Sequence, residues 1–389
     1  MTLTDDATPE AAVPSVLLPP LASPDYWDDQ DEAVLVCRAV LDITHDIKSF
    51  VFEPRGDRTF QFEAGQFLTL RLTIDGQQIN RCYTISSPPT RPYRVAITVK
   101  RVPGGPVSNW LHDNVRAGSE ITALAPLGAF TLSRQPATKY LFLSAGSGIT
   151  PLMSMTRTLH DIGSDADIVF VHSARTPDDI VFRDELAALE AVTPNLRVAH
   201  VCENDYPSQS WSGLRGRLSA DMLQALVPDL HERVTFTCGP ALYMASVRGI
   251  LAELGYDPQS YHEESFSFDQ LRDTDPTMLD DGELADLIAS PGPDDTSAAS
   301  TTSTYAVEFV RSGKTVQCGP DENVLDAALA AGLRLPSSCT LGMCGTCKVS
   351  KLAGEVDMNH NGGIRPREID QGKILICCSK PLSDLTIDG

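Results

Sequence analysis

Cys339-Thr-Leu-Gly-Met-Cys344-Gly-Thr-Cys347, with Cys377-Cys378 thirty residues further on, is the stretch that decides how this 389-residue chain is built. Counted to Cys377, it reads C-x4-C-x2-C, twenty-nine intervening residues and a last cysteine. That opening spacing is the one expected of a plant-type [2Fe–2S] centre. Each iron needs two thiolates beside the bridging sulfides, so four cysteines must converge on one small loop. Gly342 and Gly345 lack a Cβ and let the backbone wrap closely around the sulfurs. A zinc site more often shows two short cysteine pairs, and three cysteines on one tight loop fit it poorly. Disulfides suit a small secreted chain, which this is not. The cluster requires that electrons arrive and leave one at a time, so the rest of the chain should contain their source.

The net charge of −21 is concentrated in two places. Met1–Glu32 holds eight acidic residues and no basic one; Ser267–Ser303 holds nine acidic and one basic. Together they account for 16 of the 21 excess negative charges. Both read as solvated, disordered chain. The remainder is only mildly acidic, which makes nucleic acid an unsuitable partner. No apolar run reaches the roughly 18 residues that span a bilayer. The patch Val13–Ala22 is broken by Pro14, Pro19 and Pro20 and has no basic residue before it, so it fails as a leader. The expectation is a cytoplasmic, non-membrane protein whose ten cysteines stay reduced or bind metal.

Five regions follow: an acidic tail 1–32, a barrel 33–136, an α/β domain 137–266, an acidic linker 267–303 and a cluster domain 304–389. In the second, short alternating strands are expected at Ala33–Leu41, Ile47–Phe52, Gly65–Ile74, Arg81–Ser86 and Tyr93–Arg101, with Asp75-Gly76 as a hairpin turn. That pattern predicts a small antiparallel β-barrel, followed by a short helix over Ser108–Val115. From Lys139 the style changes to buried apolar strands alternating with helices, which predicts a parallel sheet covered on both faces. There Thr150 reads as a helix N-cap and Pro151 as the first helical residue, with Gly163 closing the helix. A weak helix falls at Asp281–Ala289. The last region reads as a hairpin about Ser312-Gly313, a helix from Asn323 to Ala331, and the cysteine loop.

Four motifs besides the cysteine loop carry chemistry. Arg81-Cys-Tyr83-Thr84 places a cation, an aromatic ring and a hydroxyl on one barrel strand. Gly104-Gly105-Pro-Val-Ser108 follows one strand later, where small residues allow close backbone approach and a helix N-terminus offers N–H groups to a pyrophosphate. Gly146-Ser-Gly148-Ile-Thr150-Pro151 sits at a strand-to-helix turn suited to a dinucleotide phosphate, although Pro151 stands where G-x-G-x-x-G has its third glycine. Cys238-Gly239-Pro240 ends a later strand of the same sheet, at the carboxyl edge where ligands bind.

The set RCYTIS, GGPVS, AGSGITP, TCGP and CTLGMCGTC…C resembles the ferredoxin–NADP reductase superfamily. In its order of flavin, nicotinamide and C-terminal ferredoxin regions it resembles the reductase components of two-part Rieske oxygenases. It is most similar to those serving oxygenases of quaternary amines such as glycine betaine, stachydrine or carnitine. The resemblance implies a multidomain chain: an antiparallel β-barrel flavin domain, a parallel-sheet nicotinamide domain and a β-grasp plant-type ferredoxin domain. It implies that Arg81 holds a flavin phosphate, Tyr83 lies along the ring and Thr84 bonds near N5. Gly104, Gly105, Val107 and Ser108 would receive the pyrophosphate, with Thr98, Val99 and Lys100 on the preceding strand also at the flavin. This favours FAD over FMN. Gly146, Gly148, Thr150 and Pro151 would cradle the nicotinamide dinucleotide, Gly239 and Pro240 would line its site, and Cys238 would approach the nicotinamide ring. Thr84 and Cys238 are thus the candidate catalytic pair, and Phe266, in Glu264-Ser-Phe266, would cover the flavin face.

Glu203 follows the strand ending at Val201, where NADPH-selective relatives carry Ser and Arg. A carboxylate accepts from a ribose 2′-OH and repels a phosphate, so NADH is favoured; Arg175, after Ser173, keeps NADPH open. On an extended segment only one of Cys377 and Cys378 can face the cluster, and the family pattern L-x-C-x-x-x-P selects Cys377. The metal ligands are then Cys339, Cys344, Cys347 and Cys377. The expected activity is electron transfer from NADH through FAD and [2Fe–2S] to a partner oxygenase of Rieske and non-haem iron type. Other acceptors (a di-iron monooxygenase, a P450, a hybrid-cluster protein) and a cluster-based redox sensor are the rival readings.

Overall fold

The computed structural model of the chain describes residues 32–56, 58–205, 210–265, 304–333, 335, 342, 345, 347–360, 364 and 366–388. The tail, the linker 267–303 with its expected helix at Asp281–Ala289, Phe266, Cys339 and Cys344 lie outside them.

The first sheet is antiparallel. Its strands are β1 (Glu32–Asp42), β2 (Ile47–Pro54), β3 (Phe67–Ile74), β4 (Gln77–Thr84), β5 (Val95–Lys100) and β6 (Glu120–Leu127), with helix α1 (Pro106–Asn114) between the last two. The order is β4-β3-β6-β1-β2-β5. A bridge between Ile85 and Ile97 joins the two edge strands and closes the barrel. Leu35, Phe50, Phe52, Leu68, Leu70, Ile97 and Ala123 fill it from alternate strand positions. Asp75 and Gly76 both adopt positive φ, as the tight β3–β4 hairpin requires. Two expectations are corrected here. Glu32 belongs to β1 and pairs with Arg71, so this strand runs one residue beyond the expected Ala33–Leu41 at each end. The helix starts at Pro106, because proline's fixed φ and missing N–H suit the first helical position.

The second sheet is wholly parallel, in the order β10-β9-β8-β7-β11-β12. Its elements run β7 (Lys139–Ala145), α2 (Ile149–Asp161), β8 (Asp167–Ala174), α3 (Arg183–Val192), β9 (Leu196–Cys202), β10 (Leu214–Arg215), α4 (Ala220–Leu226), β11 (Val234–Gly239), α5 (Ala241–Glu253) and β12 (Tyr261–Ser265). Strand residues of one parity, Phe142, Phe170 and Phe236, pack with Leu152 and Met155 of α2 and Leu186 of α3. The other parity, Leu141, Leu143, Val169 and Val171, packs with Leu223 of α4 and Val247 and Leu251 of α5. Arg233 locks the far end: its fully buried guanidinium bonds Asp229 at 2.8 and 2.9 Å and the carbonyl of Tyr140 at 3.1 Å.

Helix α2 also binds the barrel. Ser154 donates to the carbonyl of Ser87 at 2.7 Å, Arg157 to that of Ser86, and Asp161 accepts from Thr90 and Arg91. Ile47, Ala64 and Phe130 of the barrel side enter the same core as α2. The barrel and the parallel sheet therefore share packing across the expected boundary at 136.

The third sheet has the order β14-β13-β19-β15-β17, from β13 (Tyr305–Phe309), β14 (Lys314–Cys318), β15 (Lys348–Ala353), β17 (Lys373–Leu375) and β19 (Leu385–Asp388). β13 runs parallel to β19 and antiparallel to β14, the mixed arrangement of a β-grasp. A second pair is made by β16 (Val356–Met358) and β18 (Ser379–Pro381). Helix α6 (Val324–Ala330) lays Val324, Leu325, Ala327 and Ala328 on the sheet, and α7 (Pro366–Asp370) precedes β17.

Candidate functional site

On the barrel, β4 carries Arg81, Tyr83 and Thr84 opposite Leu70, Leu68 and Phe67 of β3. Tyr83 packs against the barrel core, and burial raises its phenol well above its ordinary range. Thr84 is buried, and its hydroxyl has no hydrogen-bond partner among the described residues. An orphaned hydroxyl at this depth is costly unless something else bonds it. Thr98 is placed differently: its hydroxyl lies 2.7 Å from that of Ser49 and 2.8 Å from that of Ser86, in a closed buried trio. The carbonyl of Val99 bonds His112 at 2.9 Å, and Lys100 pairs with Asp46 at 3.1 Å.

The loop into α1 is built for close approach. Gly104 has φ +70°, and a Cβ on Gly105 would meet the Ser108 hydroxyl at 2.8 Å. That hydroxyl accepts from the amide of Val102 at 3.1 Å, so it holds the loop, and the side chain of Val107 is in the core. Gly105 caps the helix without a side-chain bond, leaving the first-turn amides of Val107 and Ser108 for an anion.

On the parallel sheet, β7 runs into a single 3₁₀ turn, Gly146–Gly148, that leads into α2. Thr150 and Pro151 therefore stand inside the helix rather than at its cap and first position. The glycine turn is already helical, so Gly148 takes the cap. The Thr150 hydroxyl donates to the carbonyl of Ser147 at 3.1 Å, and Pro151 falls in the first turn, where a missing N–H costs nothing. A Cβ on Gly148 would lie 2.4 Å from the carbonyl oxygen of Cys238, so this turn and the end of β11 touch backbone to backbone. The same turn lies against β5, the barrel strand that precedes the Gly104-Gly105 loop. Gly239 faces the ring of Tyr243, whose hydroxyl lies beside Ser173; Pro240 caps α5. Arg175 and Glu203 are exposed at the carboxyl ends of β8 and β9. Arg217, which the sequence reading passed over, stands 3.5 Å from the Glu203 carboxylate.

Cys238 is fully buried, in register with Ser144 on one side and Glu264 on the other. Burial pushes the Glu264 carboxyl up to about 8 and the Cys238 thiol well above its ordinary value, helped by the nearby Glu264 and Glu263. One Glu264 oxygen has no partner among the described residues. The sequence had Glu264 only as part of a motif; its parity with Cys238 on adjacent parallel strands was the missing signal.

In the third sheet, the sulfurs of Cys347 and Cys377 stand 3.1 Å apart, both buried and neither in a disulfide. Ile376–Cys378 is one 3₁₀ turn, not the extended segment assumed from sequence, because it packs against α6. The turn still separates the two thiols: Cys377 reaches Cys347, while Cys378 donates to the carbonyl of Leu375 at 3.6 Å. Gly342 has φ +68°, and a Cβ there would lie 2.7 Å from the Cys378 sulfur. Two buried thiols this close suit one tetrahedral iron. The orphaned Thr84 hydroxyl and uncapped α1 likewise fit a flavin with its pyrophosphate, and the Gly146–Gly148 turn fits a dinucleotide.

Three family models match the chain in order: an oxidoreductase FAD-binding domain over residues 35–132, an oxidoreductase NAD-binding domain over 142–249 and a 2Fe-2S iron-sulfur cluster binding domain over 308–382. The glycine betaine monooxygenase reductase subunit of Chromohalobacter salexigens is 45% identical over 353 residues, covering 90% of this chain and 94% of that one. The stachydrine N-demethylase reductase subunit of Rhizobium meliloti is 39% identical over 364 residues, covering 94% and 98%. Among solved structures, phthalate dioxygenase reductase matches with TM-score 0.54 and 23% identity over 93% of this chain and 99% of that one, a likeness of fold.

Proposed function

Because the chain belongs to the family of monooxygenase reductase subunits that join FAD, NAD and 2Fe-2S domains in one polypeptide, we propose that it draws electrons from NADH and delivers them to a partner oxygenase of Rieske type. The oxygenase would act on a quaternary amine such as glycine betaine, stachydrine or carnitine. The carrying observation is the Cys347–Cys377 pair, a single-electron site on the same chain as two glycine loops, one packed on β5 and the other following it. The amine follows from what the relatives are named for.

In this reading FAD, when bound, would supply the chemistry that turns a hydride into single electrons, and the protein's own groups would bind, orient and seal. The Val107 and Ser108 amides would hold the pyrophosphate, with Arg81 on a phosphate, Tyr83 along the ring and Thr84 donating near N5. Gly146 and Gly148 would admit the dinucleotide phosphates. Cys238 would pack against the nicotinamide, with neutral Glu264 beside it. Glu203 would accept from the adenine ribose 2′-OH. Cys339, Cys344, Cys347 and Cys377 would ligate the irons. Among the described residues no helix is long and apolar enough to cross a membrane; a cytoplasmic site of action is part of the proposal.

The test is reconstitution with candidate oxygenases. NADH consumption that depends on both the oxygenase and glycine betaine supports the full reading. Equal consumption with a P450 or di-iron acceptor and none with a Rieske partner would replace the acceptor.

A further inference from the structure

A file of polar side chains crosses the parallel sheet just below its ligand edge. The register pairs Glu264 with Cys238, Cys238 with Ser144, Ser144 with His172 and His172 with His200, across β12, β11, β7, β8 and β9. Register partners in a parallel sheet project to one face and stand about 4.8 Å apart. The row beneath, on the same face, is Phe236, Phe142 and Phe170, and α2 covers it with Leu152 and Met155. The file is thus a polar strip enclosed by apolar side chains. Glu264, Cys238, Ser144 and His172 are buried; His200, at the far end, is half-buried.

Ser144 Oγ lies 2.8 Å from His172 Nδ1. The two histidine rings meet edge to face with centroids 6.2 Å apart. His172 Nε2 and His200 Nδ1 have no hydrogen-bond partner among the described residues. Two unpartnered buried nitrogens on neighbouring rings have the chemistry that retains one water.

We propose that Ser144, His172 and His200 form a proton exit that carries to solvent, at the β9 side of the sheet, the proton freed beside Cys238 and Glu264 when bound flavin, having taken hydride from NADH, gives up its electrons. This rests on the function proposed above. The hydride carries the hydrogen of NADH to the flavin; iron–sulfur centres take electrons singly and without protons, so that hydrogen is left as one proton per NADH that must leave a buried place. At the file, the Cys238 sulfur takes the proton and passes its thiol hydrogen to the Ser144 oxygen, which gives its own hydrogen to His172 Nδ1. His172 releases from Nε2 through the water to His200 Nδ1, and His200 releases from Nε2. One proton enters and one leaves, and hydroxyl and ring rearrangement resets the file. Burial pushes His172 to about 3, with His200 adding to the effect, and His200 to about 4, with Arg183 adding to it. Neither ring therefore stores the proton at neutral pH. The charged groups facing the exit are Arg183 and, beyond it near Cys202, Asp179.

The test is anaerobic stopped flow on the holoenzyme with a pH-indicator dye, comparing wild type with Ser144→Ala and His172→Gln. Hydride transfer moves hydrogen with its electrons, so flavin bleaching should stay within about twofold. Proton appearance should lag cluster reduction at least about tenfold. Proton release in step with cluster reduction in both variants overturns the exit. Absence of flavin bleaching by NADH in wild type overturns the proposed function instead. An independent readout uses wild-type protein with 15N-labelled histidine. The exit requires both His172 and His200 as the Nε2–H tautomer, and an Nδ1–H tautomer at His172 overturns it.

Discussion

Cys238 and Glu264 face each other across the β11–β12 pair, and burial alone holds the acid's pKa near 8. An acid raised in this way is protonated in the fold and ionised in the unfolded chain over the interval from 4.5 to about 8. The folded state binds the extra proton there, so this group's contribution is fully present below 4.5 and is lost as pH rises towards 8. Glutamine at this position stays neutral throughout. Urea unfolding of Glu264→Gln should therefore gain on wild type steadily across that interval and run parallel to it above. Parallel curves throughout would mean that Glu264 is already ionised in the fold.

Cys377 and Cys378 should separate cleanly. Cys377→Ala removes the thiol that meets Cys347, and iron and acid-labile sulfide per chain should fall to near zero. Cys378→Ala should retain both, because its sulfur turns to the Leu375 carbonyl. Equal loss in the two variants would contradict the ligand assignment.

Gly148→Ala adds a methyl where the carbonyl of Cys238 already stands. Gly148 has φ −65°, so alanine suits the backbone and the clash is the whole effect. Overpacking of about 1–3 kcal/mol should appear as a lower Tm, and displacement of the turn should raise the KM for NADH about tenfold or more. An unchanged KM would place the dinucleotide elsewhere.

Glu203→Ser removes the carboxylate that would repel a 2′-phosphate and leaves Arg217 to meet one. Exposed charges at this range interact by about 1 kcal/mol, so the NADPH-to-NADH ratio of kcat/KM should rise about five- to tenfold. A ratio that does not move would remove Glu203 from the ribose site.

Arg233→Met removes the buried cation that bonds Asp229 and Asp167, while Asp229 keeps Lys139 at 3.0 Å. Losing charged hydrogen bonds of this kind costs about 1.5–3 kcal/mol, read as lost stability by denaturant unfolding. The coenzyme edge lies at the other end of the sheet, so KM for NADH should hold in the folded fraction.

Strands were legible wherever one face is buried, as in Ile47–Phe52, because period-two alternation is itself the result of that burial. Glu120–Leu127 carries the same alternation and was passed over; its pairing with β1 and β3 is set by residues distant in sequence. The start of α2 was misread because Thr150-Pro151 is a strong local start signal, and a 3₁₀ turn of glycines overrode it. Cysteine spacing found the cluster loop, since ligand geometry is local. Arg217 and the file from Glu264 to His200 left no local mark. They exist only once five strands are laid side by side, and no spacing along the chain encodes that register.

The clasp between α2 and the barrel bears on how such chains can be recombined. Ser154, Arg157 and Asp161 hold residues 86–91, while the same helix begins at the Gly146–Gly148 turn. A crossover near residue 136 that exchanges the nicotinamide half would divide this clasp between two parents. Grafts will transfer coenzyme preference intact only when the 86–91 loop and α2 come from the same ancestor. The unit of inheritance is thus the junction, not the domain.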